Sequence, residues 1–158
     1  MQYHWFVVAR VLHVVAIVLW IGGIGVITTV MFPVMRSLDS NEQKVWMFER
    51  IDQNFRPQAR IAWVVVGLTG LYMLASLGVW ERFVEPHYWS MHAMVGLWLL
   101  FGLMLFVLEP LVVGPRIKRS LAHEPQQAIV RMQAVHAVLL VLSVLVIAVV
   151  VGGIYGLF

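Results

Sequence analysis

The chain alternates between long apolar runs and short polar connectors. Four runs, Trp5–Phe32, Ile61–Val79, Tyr88–Leu108 and Gln133–Leu157, approach or exceed the roughly 20 residues a helix needs to cross a ~30 Å hydrocarbon core. Backbone groups in lipid must be satisfied within the segment, so each run is expected to be a helix. Prolines punctuate the pattern. Pro33 closes the first run, Pro57 precedes the second, Pro86 precedes the third and Pro110 follows it. The expected fold is all-α: a polytopic membrane four-helix bundle forming one domain over residues 1–158. Between the first two spans, Ser40 and Gln43 form a capping-box pattern. Val45, Phe48, Ile51 and Phe55 then follow helical spacing with charges between them. This predicts a short amphipathic helix, lying either on the inner membrane surface or packed against the loops.

Composition agrees with the pattern. Hydrophobic residues make up 61% of the chain and charged ones 12%, against about 25% charged in an ordinary soluble domain. Cysteine is absent, which excludes disulfides, thiolate metal sites, iron–sulfur clusters and Cys-anchored haem. The N-terminus lacks the basic region and small-residue cleavage site of a signal peptide. Basic residues set direction. Arg36, Lys44, Arg50, Arg56 and Arg60 lie between spans one and two, and Arg116, Lys118, Arg119 and Arg131 between three and four. The second connector has only Arg82. The positive-inside rule places both basic connectors in the cytoplasm and both termini outside. The basic residues thus report topology and give no sign of nucleic-acid binding. No nucleophile–base–acid set and no glycine-rich phosphate loop is present.

Candidate chemistry lies with three histidines inside the runs: His13, His92 and His136. At 1.5 Å per residue, His13 lies ~12 Å and His92 ~8 Å below the outer boundary, while His136 lies ~8 Å above the inner one. His13 and His92 therefore match in depth. Two imidazoles on facing helices of a bundle suit the axial positions of a b-type haem. Arg10 sits one turn outward from His13 and would pair with haem propionates. Trp20 and Gly23 follow on the same face, and Gly96 one turn after His92 leaves room for a flat macrocycle. His136 is a candidate for a second haem or an interhelical hydrogen bond. The competing reading makes the glycines close-packing residues and the histidines interhelical bonding groups. Copper is the other alternative, since the "SMHAM" stretch, Ser90–Met94, combines imidazole with soft thioethers. An intact helix, however, turns His92 away from both methionines.

The stretches "LHVVAIVLWIGGIGVITTVMFP" and "RIDQNFRPQARIAWVVVGLTGLYML" resemble the CopD/HemJ-like superfamily of small bacterial membrane proteins. The matching positions are His13, Trp20, Gly22, Gly23, Arg56, Arg60, Thr69, Gly70, Trp89 and His92. The resemblance implies a bundle of four or more helices in the bacterial inner membrane. One branch looks like haem-binding protoporphyrinogen oxidase, the other is linked to copper handling. The chain departs from the oxidase branch at Met94, where that branch has lysine, and at Ala134 and Val135, where it has an Asn–Glu pair. What carries over is haem binding. The expected function is electron transfer through haem b, as a membrane oxidoreductase or a subunit of a redox complex. The expected partners are the lipid bilayer, quinone or quinol, a redox protein, and further copies or subunits of a membrane complex. Arg56 and Arg60 are expected to anchor span two to lipid phosphate, with a propionate or substrate role as the alternative. A copper-handling protein and a non-catalytic structural subunit remain the alternatives to this function.

Overall fold

A computed structural model describes residues 2–154, so the expected end of the last span at Leu157 lies outside the described residues. The described residues are helical throughout their length apart from short connectors, with no strand among them. Four helices are long and apolar enough to cross a membrane: Tyr3–Ser37, Asn41–Leu77, Pro86–Leu111 and Pro125–Gly153. In finer detail the first comprises α1 (Gln2–Val26), a π-helical segment (Ile27–Met31) and α2 (Phe32–Ser37). The second is α3 (Asn41–Leu77). Two 3₁₀ turns lead into α4 (Trp89–Leu103), which widens into a π-helical segment (Met104–Val113) and continues as α5 (Gly114–His123). The last helix is α6 (Pro125–Ile154). Each helix neighbours its antiparallel partners in a ring, α1 beside α3 and α6, and α4 beside α3 and α6.

The amphipathic segment forms, but it is not a separate helix. It is the first part of α3, which runs unbroken through Pro57. Ser40 caps it, its hydroxyl accepting from the Gln43 N–H at 3.4 Å. Val45, Phe48, Ile51 and Phe55 pack on a core of Phe32, Met35, Leu121, Ala128, Ile129 and Met132, so this stripe of α3 is turned toward the protein interior. Packing of α3 against α1 and α2 on both sides of Pro57 outweighs the missing Gln53–Pro57 hydrogen bond, a loss on the order of 3 kcal/mol in an isolated helix. Further along, Ala59, Ala62 and Val66 join Ala16, Trp20, Ile24, Phe101 and Leu139 in a second core.

Pro33 and Pro110 do not stop their helices either. Each lies in or just after a π-helical segment, where the hydrogen bond runs to the fifth residue back: Phe32 N–H bonds Ile27 O, and Gly114 N–H bonds Glu109 O. A proline in that register has no N–H to offer and leaves the fifth carbonyl back open. For Pro33 that carbonyl is Thr28 O, which receives Nε2 of Gln133 from α6 at 3.1 Å. For Pro110 it is Leu105 O, which receives Nη2 of Arg60 from α3 at 3.1 Å. Gly114 completes the second repair, because a Cβ there would fall 2.8 Å from Glu109 O.

Helices α3 and α4 are joined by a reciprocal tryptophan pair. The Trp63 and Trp98 rings stack at 4.2 Å with planes 7° apart. Trp63 Nε1–H donates to Trp98 O at 2.8 Å, and Trp98 Nε1–H donates to Trp63 O at 3.1 Å. Each ring lies where a glycine of the other helix lacks a side chain, Trp63 against Gly102 and Trp98 against Gly67. A Cβ on either glycine would come 2.5 Å from the indole. The sequence behind this is one motif used twice in antiparallel helices, "WVVVG" and "WLLFG".

Candidate functional site

His13 lies half-buried on the stripe of α1 that carries Ala9, Ala16 and Trp20, all three buried. Its Nδ1 is 2.9 Å from the Thr69 hydroxyl. That hydroxyl lies 2.5 Å from Val65 O, one turn back on α3. Thr69 has a single proton, and the carbonyl can only accept it. The imidazole must therefore be the donor, with the proton on Nδ1 and the lone pair on Nε2. Gly70 lets the ring approach, since a Cβ there would sit 3.3 Å from His13 Cε1. Three positions of the family resemblance, His13, Thr69 and Gly70, thus come together as one unit. A ligating histidine is commonly held in this way, its other ring N–H given to a fixed acceptor.

His92 is placed differently. It is exposed on α4 in line with Gly96, Leu99 and Leu103, also exposed. Its Nε2 is 2.9 Å from Phe83 O, so Nε2 carries the proton and Nδ1 the lone pair. Its ring meets the Phe83 ring edge-on at 5.6 Å. A Cβ on Gly96 would meet nothing within 4 Å. The structure does not bring His92 onto the face that α4 turns to α3. At 100° per residue His92 stands about 120° around the helix from Trp98, which marks that face. The azimuth expected of a ligand facing His13 is therefore not the one His92 takes.

The remaining expected site residues have their own neighbours. Trp20 is buried, edge-on to Phe101 with centroids 4.7 Å apart. Gly23 makes room for Phe55: a Cβ there would overlap that ring. Arg10 is exposed on α1. His136 gives its Nδ1–H to Met132 O at 2.9 Å and meets Phe32 edge-on at 5.2 Å, which again leaves Nε2 with the lone pair. No group of three His, Asp or Glu that could hold a metal ion occurs among the described residues.

Sequence reasoning missed one polar cluster. Glu109 accepts from Arg56 Nη2 at 2.8 Å and from Arg60 Nη2 at 3.2 Å, and Asp52 pairs with Arg56 one turn away. Arg60 also lies over the Phe106 ring at 5.6 Å. These arginines therefore bind α3 to the π segment after α4; the expected lipid-phosphate anchor is replaced by an internal acid. The signal in the sequence was the i, i+4, i+8 spacing of Asp52, Arg56 and Arg60. Their acidic partner, Glu109, joins them because the helix continues through Pro110. The Nε atoms of both arginines are buried without a partner.

Comparison with known proteins gives no match for the chain among protein families, curated proteins or solved structures.

Proposed function

We propose that this chain is a b-haem-binding membrane protein of electron transfer, with His13 as an axial ligand through Nε2. The observation that carries this reading is the 2.9 Å contact between His13 Nδ1 and the Thr69 hydroxyl. A polar ring half-buried in a span, held by Thr69 and flanked by the small side chains of Ala9 and Ala16, keeps one basic nitrogen in reserve. Intramembrane ionisable residues so held are functional candidates by default. Haem suits the donor set better than copper does. The porphyrin supplies four nitrogens of its own, so one or two imidazoles suffice, whereas a copper site needs several protein ligands in one place. When bound, the haem would supply one-electron chemistry. The chain would supply the imidazole, its orientation and an apolar surround.

His92, with Nδ1 open on the outward stripe of α4, fits a second ligand presented toward a neighbouring subunit rather than toward His13 of the same chain. This supports a role as a subunit of a redox complex. The resemblance to the CopD/HemJ-like superfamily, the inner-membrane location and the external termini belong to the same proposal. The test is an absorption spectrum of the purified protein, oxidised and dithionite-reduced, after expression with ample haem. The reading expects a Soret band with sharp reduced α and β bands, lost in His13→Ala. A well-folded wild type without a Soret band overturns it.

A further inference from the structure

We infer a second site, independent of haem: a binding groove for one anionic phospholipid on the bilayer-facing flank of the α1–α3 pair. The groove has a volume of about 490 Å³. Its apolar side is Gly23 and Val26 of α1 together with Phe55, and its polar side is Arg50, Asn54 and Gln58 of α3. The polar three recur every fourth residue and so form a stripe along the helix, and all three are exposed. Val26 is 53% exposed, which leaves the groove open laterally to the bilayer. Gly23 sets its depth. The Phe55 ring occupies the place a side chain on residue 23 would take, and the channel lies beside that sunken contact.

Depth along the membrane suits a phospholipid. Gly23 is 18 residues beyond Trp5, and at 1.5 Å per residue it lies about 27 Å from the outer boundary. In a core of about 30 Å this is just short of the opposite boundary. Phe55 packs on Gly23 and so shares its level. Arg50 is then about 8 Å further out, in the headgroup layer, Asn54 about 2 Å further out, at the ester carbonyls, and Gln58 about 4 Å further in, below them. A guanidinium at phosphate level and the Asn54 amide at ester level match the order of groups along a phospholipid.

Charge selects the occupant. Among the described residues, Arg50 takes part in none of the ion pairs, and the groove lining contains no carboxylate. Asn54 gives its Nδ2–H to the Arg50 backbone carbonyl at 2.7 Å, which holds its amide on the same stripe of α3. A phosphodiester with net negative charge neutralises Arg50 and takes its fork of donors in pairs. A zwitterionic lipid brings a cation along with its phosphate, and a neutral quinone leaves the guanidinium uncompensated.

The test is native mass spectrometry of the full chain released from mixed micelles of phosphatidylglycerol and phosphatidylcholine. Arg50→Gln and Gln58→Leu probe the groove, and Arg116→Gln is an exposed basic control elsewhere. Thermal midpoints establish that each variant is folded. The expected result is one retained phosphatidylglycerol in preference to phosphatidylcholine. Arg50→Gln reduces that population at least fivefold, Gln58→Leu about twofold, and Arg116→Gln leaves it unchanged. Equal loss in Arg50→Gln and Arg116→Gln would show a diffuse basic surface and overturn the site. So would equal retention of the two lipids, or displacement of phosphatidylglycerol by a prenylated benzoquinone alike in wild type and Arg50→Gln.

Discussion

The two ends of the bundle handle their polar groups in opposite ways. At the end where the basic connectors gather, one set of polar side chains is consumed by structure. Arg60 fills the carbonyl opened by Pro110, Gln133 fills the one opened by Pro33, and Glu109 ties Arg60 and Arg56 together. At the other end, polar groups are held but not used up. His13 and His92 each commit one ring nitrogen to a fixed partner and keep the other as a base. The contrast separates polar residues that repair the fold from polar residues that are available for chemistry. Burial alone would not have made that distinction, because Arg60 and His13 are both only partly buried.

Substitutions at the two ends are therefore expected to separate into two kinds of effect. The largest is His13→Ala, which should abolish the Soret band while leaving the thermal midpoint close to wild type. Thr69→Val keeps the imidazole but removes its acceptor. Loss of such an acceptor weakens ligation about 10- to 100-fold, so haem titration of this variant should show that shift with the band shape retained. At the basic end the order reverses, with stability changing and the spectrum constant. Arg60→Leu opens Leu105 O and removes one partner of Glu109, a loss of about 2 kcal/mol for a partly solvated group, read from denaturant unfolding in detergent. The same substitution in a Pro110→Ala background should be milder by about 1 kcal/mol, because the alanine N–H supplies the bond that Arg60 had provided. Gln133→Leu should be destabilising by about 1 kcal/mol. Smallest is Trp63→Phe, which keeps an aromatic ring but loses one of the two reciprocal indole bonds, worth roughly 0.6 kcal/mol in a membrane. A spectral change in Arg60→Leu, or a large stability loss in His13→Ala, would break the division between the ends.

Much of the fold was legible because its cause is one-dimensional. Long apolar runs report spans through length alone, and Ser40 reports a helix start through a local hydrogen bond. The prolines were misread because their effect depends on a partner far away in sequence. Pro110 reads as a stop until Arg60, 50 residues earlier, is seen to satisfy the carbonyl it frees. Glu109 is internal for the same reason, since the helix continues past it and its carboxylate meets Arg56 and Arg60. Depth of the histidines could be counted from span ends, but which way α4 turns is decided by packing. The Trp63–Trp98 pair and its glycines fix that turn and send His92 outward. The repeated tryptophan–glycine spacing was visible in the sequence and would have supplied the azimuth. The Thr69–Gly70 pair was noticed only as part of a resemblance. Its physical use, receiving His13, required the two helices to be seen side by side.

Chemical rescue tests Nε2 of His13 as a haem ligand most directly. His13→Gly protein, purified without haem, is titrated with haem in the presence and absence of free imidazole and followed at the Soret band. The account predicts weak or no binding without imidazole, and recovery of the wild-type spectrum when imidazole enters the space left by the ring. Haem binding by His13→Gly equal to wild type without imidazole, with the same reduced spectrum, would contradict it.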